Sequence, residues 1–338
     1  MKIFFILCNV IICGVNAFQK SPYIRSSSGS LFNTRFQPSP PPFPEPNRFL
    51  KLIRYKNIVP TAMLCFAGGW IIDPNHLFHS RGFVVSTIDT LIIMSNSMVI
   101  NDIYDLKIDK INDTSKPLVT GEITVPEAVS LFLCLLAVSE TLSVLFLPEN
   151  SQYIVNIANI YVFLYTPIFK RIPVVKNIAC AAIVSFSVFF GGLTASQHVG
   201  GIIVENTNFG LLAIVVNTIF WGSLSNEIIL DIRDVNGDVA NRVYTIPVIF
   251  GSKNAMILAN TVMFYNAVSS TLALNFLYEN RWGGLPVWLI LTILQYESGE
   301  IYNNQFSDDS IYAYLNQVNK SMILLLVYIC TLATCSTI

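Results

Sequence analysis

Nine apolar runs follow one another from residue 48 onward, at roughly 50–72, 83–101, 125–147, 152–168, 176–196, 209–230, 254–278, 284–298 and 320–336. Each is poor in charge and closed by polar, Gly- or Pro-bearing stretches, the pattern of helices held in lipid. Several fall short of the ~20 residues a helix needs to cross the hydrocarbon layer. Together they predict an all-α integral membrane protein with about nine transmembrane helices. On that count every even-numbered helix ends on the side where residue 48 begins.

Polar positions break the pattern most sharply just after the second and sixth runs, where connections between helices are expected. The first break reads Asn101-Asp102-Ile-Tyr-Asp105-Leu-Lys-Ile-Asp109 and the second Asp231-Ile-Arg-Asp234-Val-Asn-Gly-Asp238. Asn101, Asp105 and Asp109 stand at i, i+4 and i+8, and Asp231, Asp234 and Asp238 at i, i+3 and i+7, so each set lines one helix face. Carboxylates beside a bilayer core are costly and usually functional. Two acidic stripes facing one another repel unless cations lie between them. Mg²⁺, a hard ion that shares carboxylates with phosphate oxygens, is the natural occupant.

Charge placement supports this. The motif side is expected to carry Arg48, Lys51, Arg54, Lys56, Lys107, Lys110, Lys116, Lys170, Arg171, Lys176, Arg233, Arg242, Lys253 and Lys320, and the opposite side only Arg81 and Arg281. This excess fixes orientation by the positive-inside rule. A diphosphate needs such cations for the oxygens that a metal leaves free. Asn101, Lys116, Lys170 and Arg171 are the candidate diphosphate contacts; Lys176, farther along its loop, is expected to matter little.

Composition agrees with the pattern: 53% hydrophobic and 12% charged residues, net charge −1, and mean hydropathy +0.57. No nucleic-acid partner is expected. The seven cysteines lie in apolar stretches without metal-site spacing and read as apolar filler. Residues 1–17 read as a signal peptide, with Lys2, an apolar core and Val15-Asn16-Ala17 before Phe18. Residues 18–47 read as a transit-peptide-like segment followed by a Pro-rich linker, and residues 48–338 as one polytopic domain. A signal peptide followed by an Arg/Ser-rich, acid-poor stretch resembles the bipartite presequence of algae with secondary plastids. A plastid membrane is therefore the expected location, with the endomembrane system as the alternative.

The two motifs resemble those of the UbiA superfamily of intramembrane prenyltransferases. Asn101-Asp102-x-x-Asp105-x-x-x-Asp109 matches its NDxxDxxxD motif, and Asp234-x-x-x-Asp238 its DxxxD motif. Lys116-Pro117-Leu118, Tyr165-Thr-Pro-Ile-Phe-Lys170-Arg171 and Thr245-Ile-Pro247 resemble the flanking segments, over about residues 48–256. Lys116-Pro117 stands where the family usually has Arg-Pro, which keeps the charge and loses the fork.

The resemblance implies a helix bundle around a central cavity open to lipid, Mg²⁺ dependence and a polyprenyl diphosphate donor. Asp102, Asp105, Asp109, Asp231, Asp234 and Asp238 would hold metal, with Asp105, Asp109, Asp234 and Asp238 central to catalysis. The acceptor is expected to be lipophilic or aromatic. Quinone and tocopherol precursors come first, and geranylgeranylglyceryl phosphate or chlorophyllide are alternatives. Aromatics such as Tyr161, Tyr165, Phe220 and Trp221 could face a carbocation. No residue is marked as the base for the acceptor's proton, since His76, His79 and His198 fall on the far side. A lipid diphosphate hydrolase would use the same cation site, whereas a cation-coupled transporter would place its acids near the bilayer midplane.

Overall fold

A computed structural model describes residues 47–75, 77–197, 208–279 and 282–336 of the chain. The signal and transit readings of residues 1–46 lie outside these, as do His76 and His198. The described residues form helices joined by turns, with no strand among them: α1 Arg48–Leu52, α2 Ile58–Ile72, α3 Arg81–Asn112, α4 Pro117–Thr120, α5 Val125–Phe146, α6 Glu149–Tyr165, α7 Val175–Ser196, α8 Phe209–Ala240, α9 Ile246–Phe250, α10 Ser252–Leu277, α11 Leu285–Asn303 and α12 Asp308–Ser336. Among them, α3, α5, α7, α8, α10 and α12 are long and apolar enough to cross a membrane. The other apolar runs give the shorter helices α2, α6 and α11.

Two expectations need correction. The run at 50–72 is not one helix, because Arg54 adopts the left-handed region (φ 51°, ψ 60°) and separates α1 from α2. The motifs also do not sit in connections. The aspartates keep the helical period of the runs before them, and α3 and α8 extend through both motifs.

Local signals set several boundaries. Ser80 Oγ accepts from the Phe83 N–H at 3.2 Å to start α3. Thr124 and Glu127 form a reciprocal capping box at α5. After each motif helix the chain makes one short helix with proline in its first turn, α4 after α3 and α9 after α8. Gly121, left-handed at φ 79°, ends α4. The two halves of the chain therefore repeat a long helix, a short proline-led helix and another long helix.

The bundle is drawn together where α2 crosses α7. A methyl group added at Gly68 would overlap the Val188 carbonyl, and one added at Gly191 the Cys65 carbonyl. Glycine is what lets these backbones touch, as small residues do between membrane helices. Gly191→Ala is expected to destabilise the fold by about 1–3 kcal/mol through overpacking, read as a lower unfolding midpoint in detergent. Gly299→Ala, with nothing within 4 Å of the added methyl, should leave the midpoint in place. Leu133, Leu272 and Phe276 stand on the outer surface at 56%, 63% and 86% exposure, which suits contact with lipid.

Candidate active site

The last turns of α3 carry the first acid cluster. Asp102, Asp105 and Asp109 are all buried, at i, i+3 and i+7, so the inward face is set by Asp102 as well as by the predicted Asp105 and Asp109. Each is matched by a cation from a different segment. Arg54 Nη2 donates to Asp102 Oδ1 at 2.9 Å. Lys116 Nζ donates to Asp102 Oδ1 at 3.0 Å and to Asp109 Oδ2 at 2.7 Å. Lys170, on the 3₁₀ turn Phe169–Arg171, donates to Asn101 Oδ1 at 3.0 Å and pairs with Asp105. The left-handed Arg54 is thus held at the site by a charge-assisted bond.

The second cluster lies on the C-terminal half of α8. Asp231 and Asp238 are buried. Asp231 accepts from Lys176 Nζ at 2.6 Å and from Asn177 Nδ2 at 2.9 Å, both on the first turn of α7. Asp238 accepts from the Thr245 hydroxyl at 3.1 Å. Asp234 differs: its side chain is 43% exposed and is held by its neighbour Arg233 at 2.7 and 2.9 Å. The repeat seen in the fold recurs here. The residue just before α4, Lys116, touches the last acid of motif one, and the residue just before α9, Thr245, touches the last acid of motif two.

These contacts correct two readings. Lys176 is not a bystander, because α7 begins against α8 and delivers its ammonium to Asp231. Arg171, expected at the diphosphate, is exposed and makes no ion pair with a motif aspartate among the described residues. It follows Lys170 on a tight turn, which points the two side chains apart. Between the two lysines Val174 takes φ 67°, a left-handed conformation costly for a β-branched residue. It persists where neighbouring anchors fix the chain, and here Lys170 is bound to one cluster and Lys176 to the other.

One helical turn inward from both clusters lies a cavity of about 700 Å³. Its wall is mostly apolar, drawn from α2, α3, α6, α7, α8, α10, α11 and α12, with Ile93, Met94, Ile183, Phe186, Ile219 and Leu291 among the lining residues. Met98 lines it four residues before Asp102, and Glu227 four residues before Asp231. Of the four predicted aromatics, Tyr161 lines the cavity. Tyr165 instead shares a 2.8 Å hydrogen bond with the Cys180 thiol, and Phe220 and Trp221 pack edge-to-face on each other.

The donor set suits a hard divalent cation. Among the described residues no three acids converge into a cage. Mg²⁺ does not require one, since it is usually held by one or two carboxylates with phosphate oxygens and water. Asp102 and Asp109 already converge on a single positive centre, the Lys116 ammonium. Arg54, Lys176, Asn177 and Glu227 were not legible as site residues: each lies inside or beside an apolar run, and for Arg54, Lys176 and Asn177 only the tertiary fold brings them to the acids.

Residues 61–316 match the UbiA prenyltransferase family. The chain is 30% identical over 243 residues to a digeranylgeranylglyceryl phosphate synthase of Metallosphaera sedula, covering 70% of this chain and 80% of the relative. A protein of the same name from Sulfolobus acidocaldarius is 29% identical over 270 residues, 78% of this chain and 93% of the relative. Among solved structures, a UbiA homologue from Archaeoglobus fulgidus bound to GPP and Mg²⁺ superposes with a TM-score of 0.59 at 22% identity, over 85% of this chain and 99% of that one. At that identity the likeness speaks for the fold. The expected plastid address gains no support from these relatives.

Proposed function

This chain belongs to the UbiA prenyltransferase family, and we propose that it joins the prenyl group of a polyprenyl diphosphate to the free hydroxyl of geranylgeranylglyceryl phosphate. It is an integral membrane prenyltransferase. The observation that carries the reading is the pair of acid clusters, five of their six aspartates buried, one helical turn from one apolar cavity. The acceptor rests on the names of the relatives from M. sedula and S. acidocaldarius. It displaces the quinone and tocopherol precursors expected from the sequence. In this proposal α2, α6 and α11 complete nine crossings, and the cavity opens to lipid.

The residues divide the work. Asp102, Asp105, Asp109, Asp231, Asp234 and Asp238 would hold Mg²⁺, with Asp102 and Asp109 already bracketing one cation-sized position. When bound, the metal supplies positive charge that draws electrons onto the diphosphate and weakens the allylic C–O bond. Lys116, Lys170 and Lys176 swing from their carboxylates to phosphate oxygens, and Asn101 keeps Lys170 aligned. The cavity holds the prenyl tail and keeps water from the electron-poor carbon, and Tyr161 offers its ring face to that carbon.

The test is product analysis. Purified protein in lipid vesicles would be given labelled geranylgeranyl diphosphate, Mg²⁺ and either geranylgeranylglyceryl phosphate or homogentisate. Label is expected in an ether of the glyceryl phosphate. Label in the ring compound would overturn the acceptor, and free prenyl alcohol alone would replace transfer by hydrolysis.

A further inference from the structure

Glu227 is an acid that the diphosphate site does not use. It lines the apolar cavity on α8, one turn inward of Asp231. Asp102, Asp105, Asp109, Asp231 and Asp234 each hold a lysine or arginine, whereas Glu227 makes no ion pair among the described residues and meets only the weak donor of the Cys180 thiol as a side-chain hydrogen-bond partner. Its neighbour Asn226 also lines the cavity, and the buried Asn226 Oδ1 has no hydrogen-bond partner there. A carboxylate and an unmatched amide oxygen on one apolar wall are costly unless a ligand completes them.

Position narrows the choice of ligand. Four helical residues span about 6 Å along the axis, so Glu227 lies just below the level at which Asp231 meets the diphosphate. In a donor whose tail fills the cavity, the first carbon of the prenyl chain falls at that depth, one oxygen away from phosphorus. The incoming nucleophile must arrive there too.

We propose that Glu227 takes the proton of the acceptor hydroxyl and that Asn226 positions that hydroxyl; this rests on the hydroxyl acceptor proposed above. The hydroxyl oxygen forms a bond to the first prenyl carbon. The bond from that carbon to the diphosphate oxygen breaks, and the diphosphate leaves with the electron pair. The hydroxyl proton passes to a Glu227 carboxylate oxygen, and Asn226 Oδ1 accepts the hydroxyl's hydrogen bond before transfer.

The experiment compares wild type, Glu227→Gln and Glu227→Asp in vesicles with labelled geranylgeranyl diphosphate and Mg²⁺, with and without geranylgeranylglyceryl phosphate. Two products are counted, the ether and the prenyl alcohol. Glu227→Gln should lower ether formation by about a hundredfold or more, the usual weight of a general base. Prenyl alcohol release without acceptor, and the donor KM, should be unchanged. Glu227→Asp should recover part of the ether-forming rate.

Ether formation by Glu227→Gln at the wild-type rate would overturn the assignment. So would a parallel loss of alcohol release, which would make Glu227 part of the donor site. Failure of the wild type itself to form ether, seen before any variant is compared, would instead bring down the hydroxyl acceptor and this role with it.

Discussion

Asp105→Ala is expected to abolish prenyl transfer in a protein that still folds into membranes. The carboxylate is buried, it lies between Asp102 and Asp109 on the inward face of α3, and it pairs with Lys170. Losing one preorganised charge at a transition state commonly costs a hundred- to a thousandfold. Here the loss also removes a candidate metal ligand and releases the lysine best placed for phosphate. Asp105→Asn keeps the shape without the charge and should be nearly as damaging.

A folding defect must be separated from this, because removing one partner of a buried ion pair leaves the other uncompensated. Lys170 is 24% exposed in its side chain, so solvent softens that penalty. The double variant Asp105→Ala/Lys170→Ala should recover the unfolding midpoint and recover no activity. Near-normal turnover by Asp105→Ala would remove the acid from the site.

Much of this site is written in the local sequence. The spacing of Asp102, Asp105 and Asp109 marks one helix face without any tertiary information, and the apolar runs mark where the long helices lie. What the period cannot encode is which loop returns to which acid. Arg54 reads as one of three charges, with Lys51 and Lys56, at the start of an apolar segment until its own left-handed backbone breaks that segment and turns the guanidinium to Asp102. Lys176 looks remote because it lies six residues beyond Lys170, yet the turn between them sends one lysine to each motif. Asp234 holds the motif spacing and still turns outward to Arg233. Glu227 hides in the run of α8 because a single acid one turn before a motif leaves the hydropathy of the run intact.

That turn makes Lys176 the sharper test of the diphosphate site. Its ammonium bonds Asp231 at 2.6 Å with 12% of the side chain exposed, less than the 24% of Lys170. A charge-assisted contact to phosphate is worth about 1.5–3 kcal/mol, so Lys176→Ala and Lys170→Ala should each lower kcat/KM for the donor about ten- to a hundredfold. The acceptor KM should hold in both. Each arginine replacement should recover part of the loss through charge, but not all, because the fork has another geometry. Arg171→Ala removes an equally basic but exposed neighbour and should change little. Kinetics varying donor and acceptor separately decide the matter, alongside unfolding midpoints. If Lys176→Ala lowers the midpoint and leaves donor kcat/KM intact, its ammonium only balances Asp231. Phosphate binding would then fall to Lys170 and Lys116 alone, because Lys176 would be fixed in the fold rather than free to leave its carboxylate when the diphosphate arrives.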